Sequence, residues 1–202
     1  MRDIEGVYDG VDIEDLTGDG IGEVIFYLVG KGVNYCSRVL HYTDSDRSLN
    51  ELVFSKAGLC NFKVQHGYIV SSYKDGAAWV EDVYVVKGGK SDIRISDRCV
   101  GCGEVERKKY RSDGSFAKLL VTDNVDFEKR VPLVVNVLSF QARIFSSPDD
   151  EQPTKKYLVR GDRVTLLGFE SAGGEDWVEF RFSGNETTEG WLKCKDVGSC
   201  GG

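Results

Sequence analysis

Turn signals recur along this chain roughly every ten residues, and the β-branched and aromatic runs between them are too short for helices. No segment carries a sustained apolar stripe of helical period, so the chain is expected to be all-β. Glycine makes most of these turns: the sequence holds 24 Gly against 3 Pro. Glycine reaches the positive φ that tight hairpins require, whereas proline would remove a ladder donor.

The run Glu23-Val24-Ile25-Phe26-Tyr27-Leu28-Val29, stopped by Gly30-Lys31-Gly32, is the first strand candidate. Alternation at Val33, Tyr35, Ser37 and Val39 supplies its hairpin partner. Further pairs are Gly67 to Tyr73 with Ala77 to Val86, then Ser91 to Ile95, and Val105 to Arg111 returning through Phe116 to Val121. These give an antiparallel meander or sandwich over residues 1–122. Residues 123–131 are charged and without periodicity, and are expected to be a linker. Pro132 opens a second series of short strands over 132–202, a density that suits a small barrel.

A formal charge of −7 argues against a nucleic-acid partner, which needs a concentrated basic face. An acidic surface favours encounter with a basic protein. No apolar run approaches the roughly 20 residues of a helical membrane span. The start, Met1-Arg2-Asp3-Ile4-Glu5-Gly6, lacks the pattern of a signal peptide. Six cysteines in a β-rich chain nevertheless point to an oxidising compartment. The reading that reconciles these is a mature exported sequence with Met1 as an added start.

Sequential pairing would join Cys36 to Cys60, Cys99 to Cys102, and Cys194 to Cys200, although six cysteines allow fifteen connectivities. A zinc site of Cys36, Cys60, Cys99 and Cys102 is the competing use, disfavoured because a second close pair is missing. A thiol oxidoreductase would use Cys99 and Cys102. Arg98 is adjacent, but Cys102 leads into the strand-like Glu104 to Tyr110 rather than a helix. Neither His41 nor His66 stands in a nucleophile or metalloprotease pattern. The chain is therefore expected to bind rather than catalyse.

Asp15-Leu16-Thr17-Gly18-Asp19-Gly20-Ile21-Gly22-Glu23 has the spacing of a calcium loop. Asp15, Thr17, Asp19 and Glu23 take relative positions 1, 3, 5 and 9, Gly20 takes position 6, and the Ile21 carbonyl takes position 7. Phe26 stands at position 12 where a bidentate Glu would be, so a loop leading into a strand is expected rather than an EF-hand. The competing reading is a hydrogen-bonded Asp/Gly turn without metal.

Two family resemblances follow from these residues. Arg143-Ile144-Phe145-Ser146-Ser147-Pro148, Tyr157-Leu158-Val159-Arg160-Gly161-Asp162-Arg163-Val164, Asp176-Trp177-Val178 and Gly190-Trp191-Leu192 together resemble a bacterial SH3 domain over about Val134 to Asp196. The resemblance implies an SH3-like barrel, with Phe145, Tyr157, Trp177 and Trp191 lining a groove or, in the commoner use of such residues, filling the core. Gly161 is expected to turn the chain, and Gly190 to let Trp191 pack without a clash.

The Asp15 loop followed by Val24 to Leu28, and the segment Gly67 to Trp79 ending in Val83-Tyr84-Val85-Val86, resemble exported bacterial immunity proteins similar to periplasmic inhibitors of invertebrate-type lysozyme. That resemblance covers roughly Ile4 to Val121. It implies a periplasmic inhibitor whose partner is a secreted lysozyme-like peptidoglycan hydrolase, with Ser71, Ser72, Tyr73, Lys74, Asp75 and Gly76 entering its cleft. Lys74 would meet a catalytic carboxylate there and Tyr73 would be the rigid anchor. The alternative is a cell-wall or peptide-binding module of the envelope.

Overall fold

The computed structural model describes residues 7–30, 32–45, 47–54 and 58–198. It is all-β, built from antiparallel sheets. The strands are β1 (Tyr8–Glu14), β2 (Glu23–Leu28), β3 (Cys36–Thr43), β4 (Ser48–Leu52), β5 (Leu59–Cys60), β6 (Lys63–Gln65), β7 (Tyr68–Asp75), β8 (Ala78–Lys87) and β9 (Lys90–Val100). They continue with β10 (Glu104–Tyr110), β11 (Phe116–Thr122), β12 (Val134–Asn136), β13 (Gln141–Phe145), β14 (Pro153–Val159), β15 (Arg163–Ala172), β16 (Glu175–Ser183) and β17 (Thr187–Lys193).

The described residues form three sheets. The first has the order β1-β2-β3-β4, with β5 also paired to β3. The second runs β11-β10-β9-β8-β7-β6, and the third β12-β15-β16-β17-β13-β14. The chain forms two compact units. One takes the chain up to Val100 with Lys109–Phe116, and the other takes Gly101–Lys108 with everything from Ala117 on. The division thus passes through the β10–β11 hairpin.

In the first unit the continuous apolar run read from the sequence becomes β2, flanked by β1 and β3. Ile25, Val39, Leu52, Leu59, Ile69 and Tyr84 are buried together as its core. The β1–β2 connection is the Asp/Gly loop. The disulfide Cys36–Cys60 joins directly opposed residues of β3 and β5. Cys99, Cys102 and Cys194 are disulfide-bonded as well, so the four-thiolate zinc reading is not realised. Cys200, expected to pair with Cys194, lies outside the described residues.

The second unit buries Val137, Ala142, Ile144, Val164, Val178, Phe180 and Leu192 in one core. Trp177 is 1% exposed and meets Phe145 edge to face at 4.9 Å. Tyr157 is 54% exposed. Trp177 and Phe145 therefore fill the core while Tyr157 stays at the surface, so the four aromatics do not together line one groove. Gly161 has φ 93 in the turn after β14. A Cβ at Gly190 would lie 2.8 Å from both Ile144 Cγ2 and the Phe145 carbonyl oxygen, which is the close approach expected there.

Residues 123–131 are not a bare connector. They contain a 3-10 turn, Phe127–Lys129, whose first N–H groups Asp126 caps by accepting from the Glu128 amide. Phe127 is 3% exposed, and buried Arg107 donates to its carbonyl at 2.8 Å. Of the segment's three apolar residues Val125 and Val131 stay exposed, so no periodic signal marks it, yet buried Phe127 anchors it within the second unit.

Candidate functional site: a braced hairpin tip

β7 and β8 pair from Ile69↔Tyr84 to Asp75↔Ala78, leaving Gly76 and Ala77 as a two-residue turn. Gly76 has φ 63, the conformation that such a turn needs at its first central residue. Alternation along β7 then divides the six residues expected to enter a partner. Lys74, Asp75 and Gly76 are exposed, and Ser72 is half-buried.

Ser71 and Tyr73 point the other way, which corrects their expected role as partner contacts. Ser71 is fully buried, and its Oγ accepts from the Cys60 amide at 2.9 Å. Tyr73 is 7% exposed, and its hydroxyl donates to Asp82 Oδ2 at 3.1 Å. Tyr84 donates to the same oxygen at 3.3 Å, whereas buried Asp82 Oδ1 has no partner among the described residues. Burial and the Asp82 charge push the Tyr73 phenol far above the ordinary tyrosine range, and burial with the same charge raises Tyr110. Tyr73 is therefore an internal strut and cannot anchor a partner.

The tip is held by residues outside the expected set. Asn34, in the β2–β3 connection, donates from Nδ2 to the Lys74 carbonyl at 3.0 Å, and its Oδ1 accepts from the Lys74 amide at 2.7 Å. One side chain thus closes both hydrogen bonds that a neighbouring strand would make.

Asn61 completes the brace. Its Nδ2 donates to the carbonyls of Val33 at 2.9 Å and Ser72 at 3.0 Å, and its Oδ1 accepts from the Tyr35 amide at 3.2 Å. Its own amide donates to the Tyr35 carbonyl at 2.8 Å. Asn61 has φ 39, a left-handed conformation that asparagine tolerates better than most residues and that is held here by four hydrogen bonds. The adjacent Cys36–Cys60 bridge fixes both chain segments next to the two asparagines.

This brace presents side chains rather than burying them. Tyr35 is 65% exposed, Val33 52% and Trp79, directly opposite Lys74, 37%. Arg98 pairs with Asp75 at 2.7 Å beside the turn. The pair is exposed, so it orients the tip more than it stabilises it. Exposed aromatics on a fixed backbone are the arrangement from which interface hot spots are built. Only Tyr35 and Trp79 as exposed aromatics near polar turns could have signalled this from the sequence.

The Asp/Gly loop is largely satisfied by its own backbone. Asp15 accepts from the amides of Gly18 at 2.7 Å and Gly20 at 2.9 Å, and the Gly20 bond foremost holds its carboxyl below the usual range. Asp19 accepts from the Ile21 amide. Glu23 is fully buried. It accepts from the Leu16 amide at 2.7 Å and is hydrogen-bonded to His41 Nδ1 at 2.8 Å. Of the expected calcium donors, the structure brings Asp19 and Glu23 together with His41 and leaves Asp15 outside that group. The Thr17 hydroxyl lies 3.5 Å from Glu23.

Comparison with known protein families, with curated proteins and with solved structures gives no match to this chain.

Proposed function

We propose that the chain is a periplasmic or envelope inhibitor that blocks a secreted lysozyme-like peptidoglycan hydrolase by docking the braced β7–β8 tip into its cleft. The observation that carries the reading is the pair Asn34 and Asn61. They fix an exposed patch of Tyr35, Val33, Lys74 and Trp79 before any partner arrives, so little side-chain and loop entropy is lost on binding. Lys74 would face a catalytic carboxylate, and Trp79 and Tyr35 would occupy sugar-binding positions. The charge of −7 suits a basic hydrolase. The disulfides fit an oxidising compartment outside the cytosol.

The SH3-like identity of the second unit belongs to this proposal, as does calcium at the β1–β2 loop. There Asp19 and Glu23 would hold the ion, and the ion would stiffen the hairpin. No catalytic role is assigned to any residue.

The experiment is a turbidity assay of peptidoglycan digestion by an invertebrate-type lysozyme, run beside sedimentation of the protein with purified cell wall. Inhibition saturating at one protein per enzyme, without sedimentation, supports the reading. Sedimentation without inhibition establishes the wall-binding alternative and ends this one.

A further inference from the structure

We propose that the outward face of the β13–β14 hairpin is a binding site for an extended acidic peptide, with Arg143, Lys155 and Lys156 receiving its carboxylates and Tyr157 its apolar contact. The site lies wholly in the second unit and does not depend on the tip described above.

The pairing builds the face. Arg143 stands opposite Tyr157, and Gln141 stands opposite Val159. Gln141, Arg143, Tyr157 and Val159 are exposed, opposite buried Ala142 and Leu158; past Arg143 the register shifts, and over that irregular stretch of β14 both Lys155 and Lys156 are exposed. A cavity of about 480 Å³ opens there, lined by Arg143, Thr154, Lys155, Lys156 and Tyr157 along with Gln141 and Pro153. That volume falls within the range of small-ligand pockets.

Charge selects the ligand. Several other cations of this unit sit on carboxylates: Lys118 on Glu179 at 2.9 Å, Arg181 on Glu189 at 2.6 Å, and Lys193 on Asp150 at 2.6 Å. Among the described residues, no carboxylate pairs with Arg143, Lys155 or Lys156, and no acidic residue lines the cavity. Three uncompensated cations around one concavity, in a chain of net charge −7, form a local inversion of potential that draws an anionic group. Arginine adds a planar fork suited to carboxylate geometry.

The extended form of the ligand follows from position. β14 is the edge strand of its sheet, so a chain can lie along it. Two of its amides are already turned to side chains, Lys156 N to Thr154 Oγ1 at 3.1 Å and Val159 N to Asp162 Oδ2 at 2.9 Å. Side-chain charge and Tyr157, rather than a full strand ladder, therefore supply the recognition. A long polyanion such as nucleic acid is disfavoured, because beyond this patch it would meet the acidic remainder of the surface.

The test is fluorescence anisotropy with a labelled octapeptide of alternating Glu and Ser, compared with its Lys-Ser counterpart and an oligothymidylate of eight nucleotides. Binding of the Glu-Ser peptide alone is expected. The double variant Arg143→Gln/Lys155→Gln should weaken it at least about tenfold. Arg163→Glu, an exposed residue outside the cavity with the same net charge change, should leave it within about twofold. Backbone amide shifts on adding the peptide should concentrate at Gln141–Arg143 and Lys155–Val159. Equal loss in both variants, tighter binding of the oligonucleotide, shifts elsewhere, or no binding of the Glu-Ser peptide would each overturn the assignment.

Discussion

Replacing Asn34 by alanine removes two hydrogen bonds, the one accepted from the Lys74 amide at 2.7 Å and the one donated to the Lys74 carbonyl at 3.0 Å. A typical intramolecular hydrogen bond contributes about 0.5–1.5 kcal/mol net, and exposed ones lie at the low end because water replaces the lost partner. The expected cost is therefore about 1–2 kcal/mol in a urea melt, without the larger penalty of an orphaned buried group. Local exchange carries a sharper signature. If opening of the tip limits exchange, the Lys74 amide should exchange between about five and thirty times faster in Asn34→Ala, since 1.4 kcal/mol is a factor of ten. Asn34→Asp separates the two bonds. It keeps an acceptor for the Lys74 amide but sets an oxygen against the Lys74 carbonyl, so stability should fall while that amide stays protected. Should the Lys74 amide exchange at one rate in all three proteins, the tip is not braced and the reasoning about a pre-ordered surface fails.

Other consequences can be checked in the same preparations. Gly190→Ala should cost about 1–3 kcal/mol, because the added methyl meets the Phe145 carbonyl, which is backbone and cannot swing aside; a melt unchanged from the parent would show that the close approach is relieved at no cost. Tyr73 keeps its proton in the native state at pH values where the unfolded chain has lost it. Its stabilising contribution is thus complete below about pH 10 and declines as pH rises further, and Tyr73→Phe should flatten the alkaline limb of the stability curve. An identical limb in the variant would remove that linkage. Calcium at millimolar concentration should raise the melting temperature if Asp19 and Glu23 hold the ion, and an unmoved transition would dismiss calcium from the account. Losing the 24-residue crosslink in Cys36→Ala/Cys60→Ala should cost about 3 kcal/mol and loosen the Tyr35 loop, read as faster exchange at the Tyr35 amide.

Much of the architecture could be read from local pattern. The run Glu23 to Leu28, its hairpin partner and the close packing at Gly190 follow from periodicity and from the steric meaning of glycine. β1 escaped that reading because its alternation spans only Val11 to Glu14, beside Asp9-Gly10, and its Val11 and Ile13 remain 61% and 69% exposed rather than joining the core. The tip was half legible. Exposed Lys74, Asp75 and Gly76 lie in the turn region that the sequence marks between Tyr73 and Ala77, but the strand pairing runs on to Asp75 and leaves only Gly76 and Ala77 as the turn. Ser71 looks like a surface residue until its hydroxyl is seen to replace a strand partner for Cys60, 11 positions away. Asn34 reaches Lys74 across 40 positions and Asn61 reaches Val33 across 28, and no local rule connects residues so far apart. The Asp15 loop shows how one spacing serves two ends: the carboxylates that could gather a cation instead gather backbone amides.

The most direct trial of the proposed docking surface is a calorimetric titration of an invertebrate-type lysozyme with the parent protein and with Tyr35→Ala and Trp79→Ala. Truncating an interface anchor typically costs about 2 kcal/mol or more, so each variant should bind at least about thirtyfold more weakly while melting like the parent. Tight one-to-one binding that neither substitution disturbs would place the contact on some other surface of the molecule.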